Sequence, residues 1–205
     1  MNPSTLKPTP TEFDAPPADP MSLFRAWFDG AVEQGVREPG ALALATADAR
    51  GRASNRIVQV IGVRTAGLIF TSHADSRKGR DLAATGWASG VLYWRETGRQ
   101  TIVTGPVEPL PDAESDALWA ARPVSTHPMS VASHQSAPLP DEDALREQAL
   151  RLTRAGRPLA RPAAWLGYLL APESVEFWQA SPDRLHRRLR YERSGHGWTT
   201  ERLQP

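Results

Sequence analysis

Apolar positions along the chain follow two different periods. Leu23, Phe24, Trp27, Phe28, Ala31 and Val32 recur at helical spacing. Asp19 as N-cap and Pro20 as first helical residue open that helix, and Gly35 closes it. From residue 41 the period shortens to two. Residues 41–47 and 53–62 flank the turn Asp48-Ala49-Arg50-Gly51 and predict a hairpin. Residues 67–72 predict a third strand, and 87–95 with 99–109 predict two longer strands joined at Thr97-Gly98. Helical patterns return at 76–85, 112–122 and 141–155, the last with Leu145, Ala149 and Leu152 on one face. Residues 165–171, 174–179, 184–192 and 198–203 read as extended, with a final turn at 195–197. The stretch 123–140, rich in Pro, Ser and His, reads as a long loop of the kind that is usually functional. Antiparallel strands without regular crossover helices predict an α+β fold. Its centre is a closed or split antiparallel β-barrel with peripheral helices, and a doubly wound sheet is disfavoured.

Composition narrows this further. The 205 residues suit one domain, placed at 19–205. Six of the 19 prolines lie in the first twenty residues, so residues 1–18 read as a disordered Pro-rich tail. Net charge is +1, which disfavours a general nucleic-acid binder. Absence of Cys removes thiolate catalysis, Cys-ligated zinc and iron–sulfur clusters. No long apolar run and no secretory h-region are present, so the expectation is a cytoplasmic protein without a membrane partner. Neither G-x-G-x-x-G nor G-x-x-x-x-G-K-[ST] occurs.

Three features carry candidate chemistry. Ser76-Arg77-Lys78-Gly79-Arg80 opens a helix with cations, against the helix dipole; such a site suits a phosphate. Arg56 stands within a β-branched run and needs an anionic or carbonyl partner, unless it snorkels to water from an edge strand. In an extended 184–192, Leu185, Leu189 and Tyr191 share a face with Arg187, while Arg184, His186, Arg188 and Arg190 occupy the other. That basic row is read as facing an anion, the alternative being balance by Glu176, Glu192 or Glu201. His127 and His134 lack the i,i+4 spacing of a zinc site, and no metal is predicted.

These motifs together resemble the pyridoxamine 5′-phosphate oxidase family of FMN-dependent split-barrel flavoproteins. The resemblance runs from about Asp19 to Pro205. It rests on Arg56-Ile57-Val58, the SRKGR segment, Arg122-Pro123, Gln135-Ser136 and the closing EFWQ…RLHRRLRYER…GW…RLQP. It implies a homodimer with FMN at the subunit interface. Arg56, Ile57, Val58 and Ile61 would line the flavin, Thr71 and Ser72 would contact it, and Arg77 with Lys78 would grip its phosphate. Gln100 would meet the isoalloxazine edge. Gln135, Ser136, Trp178 and Arg188 would complete the site, some of them from the second subunit.

On the substrate side the resemblance implies Arg122, Thr126, Arg184 and His186, with His186 the candidate catalytic group. Ile61 and Leu118 stand where the vitamin B6 enzyme carries Lys and Tyr, and Thr126 where it carries Ser. A phosphate clamp is thereby depleted. WASGVLYWRET (87–97) and THPMS (126–130) are similar to the phenazine-biosynthesis FMN oxidases, which oxidise reduced phenazine carboxylic acids. That branch implies a small aromatic carboxylate substrate, hydride transfer to flavin N5, and reoxidation by O₂ with release of H₂O₂. The competing readings are a pyridoxamine/pyridoxine 5′-phosphate oxidase and a non-catalytic flavin- or haem-binding module on the same barrel.

Overall fold

The computed structural model describes residues 11–154 and 156–205. Asp19 caps the first helix, α1 (Pro20–Glu33), accepting from the Met21 and Ser22 amides, and Leu23, Phe24, Trp27 and Ala31 face inward. In β1 (Ala41–Ala47) Leu42, Leu44 and Thr46 point into the barrel, and four alanines point out. Then follow β2 (Ala53–Gln59), β3 (Gly62–Arg64), β4 (Gly67–His73), α2 (Arg77–Thr85), β5 (Trp87–Trp94) and β6 (Arg99–Pro109). The second half holds α3 (Asp112–Ala120), α4 (His127–Ala132), α5 (Glu142–Thr153), β7 (Trp165–Leu170), β8 (Ser174–Gln179), β9 (Arg187–Ser194) and β10 (Gly197–Leu203).

Every ladder is antiparallel, as the absence of crossover helices predicts. The path runs β10-β9-β8-β6-β5-β1-β2. Strand β6 is long enough to pair with β5 on one edge and, on the other, with β8 and then β7. Gly105 sits at that changeover. A Cβ there would lie 2.0 Å from the Ala171 carbonyl oxygen, so only glycine lets the β7–β8 connection cross it. β7 pairs with β4, which curls the sheet back toward β2. Among the described residues β2 and β4 form no ladder with each other. The barrel is split there.

The structure departs from the sequence pattern at four places. The strand expected over 53–62 ends at Gln59. Val60 donates to the Gly40 carbonyl and Ile61 to that of Ile69, so the chain changes partners at a barrel corner. The loop expected at 123–140 contains α4, because His127, Pro128 and Ala132 bury a short helical face. The strand expected from residue 184 starts at Arg187. Asp183 accepts from the Leu185 amide, Arg184 takes a left-handed φ of 66°, and Leu185 is 65% exposed rather than on the core face.

The last departure concerns the tail. Residues 1–10 lie outside the described residues, but 11–18 are packed on the domain. Phe13 is 2% exposed, against Trp27 and under the guanidinium groups of Arg187 and Arg202. Asp14 pairs with Arg187 at 2.9 Å, and the Tyr191 hydroxyl donates to the Pro17 carbonyl. One buried aromatic with charged neighbours offsets the ordering cost that the proline count suggested. Phe13→Leu is expected to lower unfolding free energy by about 1 kcal/mol through lost ring contacts, measured by urea titration.

Candidate active site

The free edge of β2, the end of β4, the start of α2 and the Gln135-Ser136 turn enclose a cleft of about 480 Å³. It lies at the split between β2 and β4, where no ladder consumes the edge groups of β2. Ser54 to Val58, Thr71, Ser72, Arg77, Lys78, Gln135 and Ser136 line it. Nine of the residues predicted to bind the cofactor are therefore brought together in one chain: Arg56, Ile57, Val58, Thr71, Ser72, Arg77, Lys78, Gln135 and Ser136.

Ser76 caps α2, accepting from the Gly79 amide at 3.2 Å. Gly79 itself packs against backbone: a Cβ would come within 2.5 Å of the His73 and Ala74 carbonyl oxygens. That close approach seats the basic first turn at the cleft floor. Lys78 is buried, and its Nζ donates to Gln135 Oε1 at 2.7 Å and Ser72 Oγ at 3.0 Å. Burial, reinforced by the Arg56 charge, pushes the Lys78 ammonium down to about 8. Ser136 holds a φ of 70°, a conformation that costs a non-glycine residue about 1 kcal/mol or more and is typical of functional positions.

Arg56 points inward, opposite Leu44 in the β1–β2 ladder. It donates to the Leu44 carbonyl at 3.2 Å, to Thr46 Oγ1 at 2.7 Å and to Ser54 Oγ. The required carbonyl partner is thus present: Arg56 sits on an edge strand but bonds to protein rather than snorkelling to water.

Gln100, Trp178 and Arg188 lie elsewhere. They stand directly opposite one another in the β6–β8 and β8–β9 ladders and form one row across the outer face of the sheet. Gln100 shares a shallow groove of about 300 Å³ with Asn55, and Asn55 also borders the main cleft. The basic row on β9 proves to be internally balanced. Arg188 donates to Glu176 at 2.7 Å and to the Gln204 carbonyl at 3.0 Å, while Arg190 pairs with Glu201 at 2.9 Å. For Arg188 and Arg190 the expected anion-facing row is corrected: their neighbours supply the carboxylates.

The substrate candidates divide into two groups. Arg122 lies at the end of α3, its guanidinium 5.1 Å over Trp119 and 5.2 Å over Trp165. It donates to Ser130 Oγ at 3.2 Å. Burial lowers its pKa, and among the described residues it pairs with no carboxylate, as neither do Arg77 and Lys78; Arg161, Arg187, Arg188 and Arg190 all do. Burial lowers the pKa of His73, and the charges of Lys78 and Arg122 lower it further. Thr126 spends its hydroxyl on the Pro123 carbonyl, and Leu118 packs toward Gly167 of β7. Ile61 is 47% exposed at the barrel corner.

Arg184 and His186 form the second group, on the turn before β9. His186 lines a separate cleft of about 470 Å³ with the C-terminal Leu203, Gln204 and Pro205. The His186 ring packs 4.8 Å from Trp178, and its Nδ1 accepts the Ser181 amide at 3.1 Å. Within one chain the structure does not bring Arg184 and His186 to the Lys78 cleft.

Sequence reasoning missed Thr46, Ser54 and Asp81 around Arg56, and Trp119 with Trp165 around Arg122. One signal was legible: Thr46 occupies an inward position after Leu42 and Leu44, where a polar side chain needs a partner.

The comparisons with known proteins agree with this geometry. Residues 28–154 match the pyridoxamine 5′-phosphate oxidase family model, and 165–205 match the pyridoxine 5′-phosphate oxidase C-terminal dimerisation region. The chain is 52% identical to a dihydrophenazinedicarboxylate synthase of Burkholderia lata, over 95% of this chain and 92% of that protein. It is 44% identical to a pyridoxine/pyridoxamine 5′-phosphate oxidase of Cupriavidus taiwanensis, over 95% and 92%. The fold superposes on PhzG from Burkholderia lata 383, solved in complex with tetrahydrophenazine-1-carboxylic acid, with a TM-score of 0.94 at 51% identity, covering 96% of this chain and 98% of that one. A pyridoxamine 5′-phosphate oxidase-related, FMN-binding protein of Nostoc punctiforme shares the fold at 19% identity and a TM-score of 0.73, over 89% and 97%. These neighbours are split barrels, as the strand pattern predicted. Similarity at this level, spread over nearly the whole length, reflects common descent: the chain belongs to the pyridoxamine 5′-phosphate oxidase family.

Proposed function

We propose that the protein is an FMN-dependent oxidase of reduced phenazine carboxylic acids. The carrying observation is Arg122, a half-buried guanidinium that pairs with no carboxylate among the described residues and stands apart from a separate site suited to a phosphate. The higher identity to dihydrophenazinedicarboxylate synthases than to vitamin B6 phosphate oxidases supports this branch over its runner-up.

The donor set of the Lys78 cleft fits FMN. Arg77 and Lys78, which pair with no carboxylate among the described residues, a third cation in Arg56, and the hydroxyls of Thr71, Ser72 and Ser136 match a phosphate dianion. Its volume lies within the range of about 300–1,000 Å³ usual for small-molecule sites. Bound there, FMN supplies the hydride acceptor, and O₂ takes the electron pair onward as H₂O₂ while a proton leaves the substrate.

A second copy of the chain completes the site. Trp178, Arg184, His186 and Arg188 all fall within the segment matching a dimerisation region. The flat Gln100–Trp178–Arg188 row on the outer sheet face is suited to a planar ring presented from the partner's cleft. Arg122 and Arg184 hold substrate carboxylates. His186 donates a hydrogen bond from Nε2, because its Nδ1 already accepts the Ser181 amide. Ile61, 47% exposed beside the β2 edge, offers an apolar wall where a phosphate clamp would want a cation.

The test is anaerobic mixing of the FMN-loaded protein with a dihydrophenazine carboxylate and, separately, with pyridoxine 5′-phosphate. Flavin absorbance is expected to bleach rapidly with the phenazine alone. Bleaching by the vitamin alone selects the runner-up, and none by either selects a binding module.

A further inference from the structure

We propose that Asp81 is a positioning residue, acting through the hydroxyls of Thr46 and Ser54 to fix Arg56 for the phosphate of FMN. The inference deepens the cofactor part of the reading above and is independent of the phenazine assignment.

Asp81 lies on α2, four residues after Arg77, and is 5% exposed. Its Oδ2 accepts from Thr46 Oγ1 at 2.7 Å and from Ser54 Oγ at 2.9 Å. Each hydroxyl has a single proton, and both are spent on this carboxylate oxygen. Toward Arg56 the two hydroxyls are therefore acceptors only. Arg56 supplies the matching donors: Nη1 to Thr46 Oγ1 at 2.7 Å and Nη2 to Ser54 Oγ. The Leu44 carbonyl takes a further Nη1 bond at 3.2 Å. Asp81 itself stays 3.9 Å from the guanidinium, so its charge reaches Arg56 directly while its hydrogen bonds reach it through the hydroxyls.

This arrangement does two things. It sets the direction of both hydroxyl protons, and so fixes the plane of the guanidinium without covering it by a direct carboxylate fork. It also sets the Arg56 and Arg77 charges against one buried anion, with Lys78 lining the same cleft, which leaves a net charge suited to a phosphate dianion. Burial works to raise the Asp81 carboxyl, but the two hydroxyl bonds and the Arg56 charge keep it below the usual carboxylate range. The relay is thus anionic wherever the cofactor binds.

The experiment measures dissociation constants of FMN and riboflavin by flavin fluorescence for the wild-type chain, Thr46→Val, Asp81→Asn, Arg56→Ala and the double variant Thr46→Val/Arg56→Ala. Thr46→Val conserves shape, and circular dichroism checks that each variant folds. Thr46→Val and Asp81→Asn are expected to weaken FMN about tenfold and riboflavin less than about twofold. In the Arg56→Ala background Thr46→Val is expected to add no further loss, because its effect runs through Arg56. Equal losses for FMN and riboflavin, full additivity in the double variant, or unchanged FMN affinity would each overturn the proposal. A wild-type chain that binds no FMN overturns the cofactor reading, and this inference with it.

Discussion

Replacing both Arg77 and Lys78 by alanine is expected to weaken FMN binding by a factor on the order of 10³ at neutral pH. Each side chain offers the phosphate a charge-assisted bond, and such bonds contribute about 1.5–3 kcal/mol apiece. Among the described residues neither cation forms an ion pair with a carboxylate, although Asp81 feels the charge of Arg77. The two are separable by pH. With the Lys78 ammonium pushed down to about 8 in the ligand-free protein, it is charged below that pH and neutral above it. A phosphate dianion favours the charged form, so binding takes up a proton in the alkaline range. Wild-type affinity is therefore expected to be flat from pH 6 to about 7.5 and to fall toward tenfold per unit above about 8. Lys78→Ala removes that alkaline fall, whereas Arg77→Ala keeps it. Fluorescence titration over this range reads both effects, and an unchanged alkaline fall in Lys78→Ala sinks the assignment.

The second large effect concerns substrate. On the proposed reading, Arg122→Gln lowers kcat/KM for a reduced phenazine carboxylate about 100-fold, mostly through KM. The guanidinium packs over two edge-to-face indoles and donates to one serine hydroxyl, and among the described residues its remaining donors meet no carboxylate. Trp119 is itself fixed: its Nε1 donates to the Leu159 carbonyl at 2.7 Å, and His127 packs on its face at 4.3 Å. The control is the carboxamide of the same substrate, which offers no charge to Arg122. An equal loss for carboxamide and carboxylate makes Arg122 a packing residue rather than a carboxylate ligand. FMN affinity, governed by the other cleft, is expected to stay within about twofold in this variant.

Much of the architecture follows from local pattern. Alternation in β1 and β6, the Asp19-Pro20 start and the Ser76 cap are short-range features, set by side-chain direction and by unpaired helix amides. The misfit of cations at an α2 N-terminus was likewise visible, and it marked Arg77 and Lys78 without any fold. Motif resemblance added Gln135 and Ser136, which come from a distant loop and have no local signal of their own. The structure seats both in the same cleft as Lys78.

Other features were decided only by tertiary contact. Residues 11–18 looked too proline-rich to fold, yet Phe13 finds a pocket built by α1, β9 and β10. No window of sequence contains that pocket. Strand β9 looked like an unbalanced basic face because its acids sit on β8, on β10 and further along β9 itself, and pairing register alone brings them together. Arg56 gave no hint of Asp81, which lies 25 residues later and meets it only because α2 caps the end of the β1–β2 hairpin. The sequence by itself determined most of the strands and helices, though not α4, and which cations lack local reason, because those depend on neighbours a few residues away. Only the tertiary structure decided which charges are neutralised and which stay free for a ligand, because most of the counterions, such as Glu176 and Glu201, are brought in across strands by pairing register.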